Sequence, residues 1–418
     1  MRTQPAAARA GIDVRLRDGV RDCLWAFLGA RAMLFALSAV ADMGLLPRPG
    51  DQPTTDSGWI VSSLRPGWHV LFTATERQDA LWFLRLATEG WSAQDGSAAF
   101  FPLYPLSVRA LAWLPGLGPL AAALIVANVA FFAALLLLHG LTRLEMTRRA
   151  GQPRALANEL PNEAAQALSA AASARRTVRF AAIFPTSFFF LAPYTEALFL
   201  ALSVAAFWFA RRDRWGAAAV AGALAALTRS IGVLLIFGLA VEAFLQWRRE
   251  GRALLPRVVA AISVALGPLA YLLFWKFRFH DLWAPLDAQR NWNRETALPT
   301  TTLWDAVRFT WTHRTYWLID LAVVVAAVAG VGLAAVAQRV RASYLTYATL
   351  SLLLPLFAPL DFRPLLSMPR FVIVVFPLYW GYAAAVDREW LPEPLVTGAF
   401  AMGYGLLAVL FLTWWYVF

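Results

Sequence analysis

Apolar residues in this chain run in blocks of about 15 to 25, the length an α-helix needs to cross a hydrocarbon core of roughly 30 Å. Such blocks lie at about 22–45, 119–141, 180–193, 195–210, 215–229, 230–247, 257–277, 316–337, 344–360, 371–387 and 395–416. The pattern predicts an all-α polytopic bundle of about eleven transmembrane helices. The ten-residue alternation of a membrane β-barrel is absent. A polar, arginine-bearing stretch, 1–21, precedes the first block and reads as a cytoplasmic tail. The block after it is too long for a signal-peptide core and has no small-residue cleavage site, so it is expected to stay as the first helix. The remainder, 22–418, reads as one transmembrane domain.

Composition agrees: 60% of the 418 residues are hydrophobic, 15% are charged, and the mean hydropathy is +0.56. A soluble domain could not hide that much apolar surface. The net charge of +11 does not point to nucleic acid, because the arginines gather in alternate short loops, around 142–179, 211–214, 248–256 and 338–343. The positive-inside rule produces that distribution, and it places the N-terminus inside. Lysine occurs once, at Lys276, a skew that fits a GC-rich bacterial genome. The single Cys23 excludes intramolecular disulfides and a thiolate cluster. Residues 150–174, rich in alanine and polar side chains, read as a mobile linker.

Three segments are then left outside: 46–118, 278–315 and 361–370. In the first, Ala80, Phe83, Leu84, Ala87 and Trp91 recur at helical spacing, with Gln78, Arg85 and Glu89 on the other side. That pattern predicts an amphipathic interfacial helix opened by Asp79. An acidic residue beside a bilayer is a candidate for function, yet Asp79 also fits a plain helix cap. Phe100-Phe101-Pro102-Leu103-Tyr104-Pro105 follows; its two prolines predict a bent, non-helical re-entry with Arg109 one turn beyond. Pro193-Tyr194-Thr195-Glu196 places an acid at the end of a hairpin, where it serves either chemistry or a buried hydrogen bond. Arg229 and Arg370 sit at outer span ends against the topology rule. Their guanidinium forks suit a phosphate, or an ion pair or headgroup. Gln289-Arg290-Asn291-Trp292-Asn293-Arg294 adds arginines, amides and a tryptophan suited to carbohydrate or phosphate. His280 and His313 have no ligand partner in sequence, so no metal is expected.

Taken in order, Arg77-Gln78-Asp79-Ala80-Leu81-Trp82, Phe100-Phe101-Pro102-Leu103-Tyr104-Pro105, Pro193-Tyr194-Thr195-Glu196, Thr228-Arg229-Ser230-Ile231-Gly232 and Met368-Pro369-Arg370-Phe371 resemble the bacterial relatives of GPI mannosyltransferase 2, the phosphatidylinositol-glycan class V family. The resemblance runs from about residue 20 to 390. One departure is Gln78, where the family often has tryptophan. The resemblance implies a GT-C glycosyltransferase of a bacterial plasma (inner) membrane with its site facing outside. Such an enzyme takes a sugar, typically mannose, from a polyprenyl-phosphate donor with inversion. Asp79 corresponds to the family's first-loop carboxylate and would be the general base. Arg229 and Arg370, with Arg290 and Arg294 behind them, are the candidates for the donor phosphate. Glu196, Tyr194, Tyr104, Arg109, Trp82 and Trp292 would support the site or meet substrate. No cofactor is implied, and the acceptor, whether glycan, lipid or protein, does not carry over. Two other readings stand beside it. One is a GT-C enzyme using another lipid-linked sugar; the other is a transporter, which predicts charge near the bilayer midplane and broken central helices.

Overall fold

The computed structural model describes residues 6–42, 70–149, 162–291, 296–313, 318–338, 340–360, 363–413 and 415. The elements they form are helices. In chain order these are α1 (Ala6–Asp42), α2 (Val70–Thr73), α3 (Asp79–Thr88), α4 (Leu103–Ala112), α5 (Pro119–Arg149), α6 (Asn162–Ile183), α7 (Glu196–Arg211), α8 (Trp215–Thr228) and α9 (Leu235–Glu250). They continue with α10 (Leu254–Ile262), α11 (Leu266–Phe279), α12 (Ala284–Asn291), α13 (Pro299–His313), α14 (Leu318–Val336), α15 (Ala342–Leu353), α16 (Met368–Ile373), α17 (Pro377–Asp387) and α18 (Glu393–Leu412).

Among the described residues, six stretches are long and apolar enough to cross a bilayer: Arg17–Ala41, Pro119–Thr147, Ser230–Glu250, Leu254–Phe279, Leu318–Val336 and Glu393–Leu412. Trp215–Thr228 and Ala342–Phe357 are shorter apolar helices. The all-α polytopic class expected from the hydrophobic pattern is therefore the class observed.

Two expected spans are built differently. The run 180–193 is not a helix across the membrane: α6 ends at Ile183, ahead of Pro185, and a short 3₁₀ turn, Ser187–Phe190, follows. Proline removes a donor and clashes with the preceding turn, so the helix stops there. Phe184, Phe188, Phe189 and Phe190 are fully buried, so this run is apolar because it fills the protein interior. The helix that precedes it begins at Asn162, so 162–174, expected to be linker, is helical. The run 371–387 is likewise split between α16 and α17, with Pro377 opening the second helix. The expectation that paired prolines keep 100–105 out of a helix is also corrected. Pro102 caps α4 and Pro105 lies in its first turn, where a missing N–H costs nothing because that group has no helical partner.

The core is a row of close-packed helices, with α7 between α5 and α8, and α14 along α17. A Cβ on Gly381 would collide with the Gly330 carbonyl oxygen. Small residues at that crossing therefore allow the backbones to touch, which is how helices gain packing energy where lipid supplies no hydrophobic drive. Over one end of this core lie α3 and α4, packed on each other and on α5. As the periodicity predicts, Ala80, Phe83, Leu84 and Ala87 form the buried face of α3. Arg85 and Glu89 pair at 2.9 Å on the other side.

Candidate active site

Asp79 is the first residue of α3, preceded by Gln78 at φ 51°, ψ −119°. L-residues avoid that region, and strained backbone of this kind persists only where the surroundings hold it. No side-chain hydrogen bond caps the helix. The Asp79 carboxylate turns to Arg370 instead, with which it forms a charge-assisted hydrogen bond. The cap reading of Asp79 therefore finds no support in the hydrogen bonding. The Asp79 side chain is 29% exposed.

Arg370 reaches this place from α16, one residue after Pro369, and is itself buried. Its Nε donates to Glu196 Oε1 at 2.7 Å while its Nη1 meets Asp79. Glu196, fully buried at the start of α7, also pairs with Arg229. Arg229 Nη1 donates to Thr195 Oγ1 at 3.1 Å. The chain runs Asp79, Arg370, Glu196, Arg229: two carboxylates alternating with two guanidiniums, balanced in charge. Aromatic faces complete the setting. Arg370 lies 4.8 Å from the ring centre of Tyr194, and Arg229 lies 5.1 Å from that of Phe371.

A cavity of about 550 Å³ opens beside this chain and is lined by Gln78, Asp79, Thr195, Thr228, Arg229, Ser230, Ser367 and Arg370 at its polar side. The other walls are mainly apolar, including Phe100, Phe101, Leu272, Leu354 and Phe357. It is large enough for a small ligand or the head of a larger one.

Of the residues picked out in sequence, Asp79, Glu196, Arg229 and Arg370 are thus brought together, and Tyr194 packs against them. Tyr194 donates its hydroxyl to the Arg77 carbonyl at 2.7 Å. Trp82 stacks on Phe100 at 5.0 Å, behind the cavity wall. Tyr104 is fully buried, with its hydroxyl on the Ala123 carbonyl at 3.0 Å. Arg109 stands apart from the cluster. Its guanidinium donates to the carbonyls of Ala87 at 2.6 Å and Thr88 at 3.1 Å, closing the end of α3. Orphan carbonyls at a helix C-terminus attract such a cation. Arg290 is in α12 but its side chain, like Trp292 and Arg294, lies outside the described residues. Sequence reasoning gave no role to Thr195, whose position beside Glu196 was its only signal. It also passed over the bidentate pair of Arg363 with Asp320, at 2.7 and 2.8 Å, which ties the start of α14 to the segment leading into α16.

No family model matches the chain, and no curated protein matches it. Among solved structures it is similar to that of ArnT from Cupriavidus metallidurans bound to undecaprenyl phosphate, with a TM-score of 0.47 and 14% identity over 79% of this chain. The match spans 58% of the length of that protein.

Proposed function

We propose that this chain is an inverting GT-C glycosyltransferase, akin to GPI mannosyltransferase 2, that moves a sugar from a polyprenyl-phosphate donor to an acceptor hydroxyl. Mannose is the sugar we assign, and the outer face of a bacterial plasma membrane the location. One observation carries the reading: a partly open carboxylate, Asp79, shares a buried guanidinium, that of Arg370, beside a cavity with one charged side and apolar walls.

The chemistry follows from that arrangement. The acceptor oxygen attacks the anomeric carbon from the face opposite the phosphate. Its proton passes to Asp79 as the carbon–oxygen bond to the lipid phosphate breaks. The donor enters with one negative charge on a phosphodiester and leaves as a phosphate monoester with a second. Asp79 loses a charge as the phosphate gains one, so Arg370 gives up one partner while another forms within its reach. Cations already in place where charge develops lower the barrier without reorganisation. Arg229, held by Glu196 and Thr195, supplies the second fork. The apolar walls suit the first isoprene units of the donor, and the acceptor hydroxyl approaches from the Asp79 side.

The test is transfer of radiolabelled mannose from polyprenyl-phosphate mannose by the purified protein, with Asp79→Asn as the partner measurement. One general base contributes about 10² to 10⁴ in rate, so the variant is expected to lose that much. Asparagine occupies the same volume and still accepts from Arg370, so the fold should survive. Wild-type turnover in a folded Asp79→Asn protein would remove Asp79 from the mechanism. Failure of the wild type to transfer mannose would move the assignment to another lipid-linked sugar, or to transport if none is transferred.

A further inference from the structure

Resting on the reading of Asp79 as base, we infer that Arg77 and Tyr194 are positioning residues that clasp the Asp79 turn to the C-terminal end of α18. Neither lines the cavity, so neither is placed to touch substrate. What they share is the peptide just before the strained residue. The Arg77 carbonyl accepts from the Tyr194 hydroxyl at 2.7 Å and from the Ala80 N–H at 3.0 Å, which uses both of its lone pairs. Gln78 therefore has a fixed peptide on one side and the first turn of α3 on the other.

The Arg77 side chain reaches the opposite way. Its Nε donates to the Leu412 carbonyl at 3.3 Å, and its Nη1 to the Glu76 carbonyl at 3.1 Å. Leu412 is the last residue of α18, where backbone carbonyls have no helical partner and the helix dipole favours a cation. Gln78 adds a weaker link, its Nε2 lying 3.4 Å from the Trp415 carbonyl. The Tyr194 ring closes the clasp from the other side. It packs 6.0 Å from Phe411 of α18 and 6.1 Å from Phe83 of α3, and it carries the Arg370 guanidinium on its face. One end of α18 thus fixes both members of the Asp79–Arg370 pair, with Arg77 and Leu412 standing 335 residues apart in sequence. A displacement of about 1 Å at a reacting group can cost 10² in rate, and a non-glycine residue at positive φ relaxes once its holders are removed.

The experiment compares Arg77→Met, Arg77→Lys, Tyr194→Phe and the Arg77→Met/Tyr194→Phe double variant in the full chain. Each Met or Phe variant is expected to lower kcat about 10- to 100-fold. KM for polyprenyl-phosphate mannose should stay within about threefold, because the groups that meet the donor remain. Arg77→Lys keeps the charge at the α18 terminus and should recover part of the loss. Both residues act on one turn, so the double variant should be little worse than the worse single one. A second readout needs no turnover: hydrogen exchange of residues 76–84, where the amides of Ala80 and Leu81 lose protection if the turn loosens. Faster exchange in both single variants supports the clasp even if the wild type transfers no mannose, an outcome that would overturn only the sugar-transfer reading. Unchanged exchange, or a kcat within twofold of wild type in either single variant, overturns the clasp. So does a loss of polyprenyl-phosphate binding that matches the loss of rate, since that marks general unfolding of the site.

Discussion

Helix α7 carries a charge cluster at each end, and the two make an instructive pair. At its first residue, Glu196 belongs to the Asp79, Arg370, Arg229 chain. At its last, about 22 Å along the axis, Arg211 bonds Glu145 at 2.5 Å and Glu242 at 3.1 Å, and Glu242 goes on to Arg341 at 3.0 Å. Each cluster holds two carboxylates and two arginines. The carboxylates of the Arg211 cluster are closed off, although Nη2 of Arg341 is buried without a hydrogen-bond partner. Glu242 accepts four hydrogen bonds, including those of Ser343 at 2.8 Å and Gln246 at 3.0 Å, and Tyr344 donates to Glu145 at 2.9 Å. The Arg211 side chain is 1% exposed. Neutral donors there fill the capacity that substrate would otherwise use. At the other end Asp79 is 29% exposed, faces a cavity, and shares its arginine with a carboxylate that is fully buried. Charge alone does not mark a site inside a membrane protein; unfilled capacity next to open volume does.

The comparison is broken most directly by removing one carboxylate from each end. On the proposed reading, Asp79→Asn is expected to cost about 10² to 10⁴ in sugar transfer with little change in thermal stability. Glu242→Gln should do the reverse. It leaves Arg211 and Arg341 short of a buried counter-charge, at a cost of about 3–5 kcal/mol in stability, while molecules that stay folded transfer at near the wild-type rate. Thermal unfolding in detergent beside the transfer assay reads both. Equal losses of rate and stability at both ends would mean that the two clusters do the same structural job. A smaller effect belongs to Arg229→Lys. Lysine keeps the charge near Glu196 but lacks the planar fork for two acceptors. A drop in transfer of about tenfold with the fold intact is expected, corresponding to roughly 1.4 kcal/mol in barrier. An unchanged rate would leave Arg370 as the sole phosphate ligand of the pair.

The sequence showed these features unevenly, for physical reasons. The class of fold was legible because crossing a bilayer imposes a run length that nothing else requires. The face of α3 was legible because one side of it meets the core and the other does not, so polarity alternates with the helical period. Runs 180–193 and 371–387 were misread because apolar residues that fill the core and apolar residues that meet lipid have the same composition. Phe188 and Val374, both fully buried, look in sequence like residues of a span. Arg229 and Arg370 stood out because they broke the topology rule, and Glu196 because an acid in an apolar run has to be paid for. Their mutual pairing was not legible, since no local spacing relates residues 79, 196, 229 and 370. Arg109 shows the opposite limit. Its proximity to a motif in sequence suggested the site, whereas three-dimensional packing assigns it to the end of α3.

The smallest predicted effect concerns a third group of charges, which sets the baseline for the other two. Arg85 pairs with Glu89 and with Asp95, each at 2.9 Å, and lies over Trp82 on the outer side of the same helix that carries Asp79. Glu89 is 52% exposed. It keeps about half of its exposure to water in the folded chain, so pairing gains little over water and is screened by salt. Arg85→Ala is expected to cost about 0.5–1 kcal/mol in stability, less at high ionic strength, and to leave transfer within twofold. The measurement is the shift in unfolding midpoint at low and high salt, with the transfer assay alongside. If Arg85→Ala instead matched Asp79→Asn in lost rate, proximity on α3 rather than access to the cavity would govern activity. The contrast drawn between the two ends of α7 would then fail at its premise.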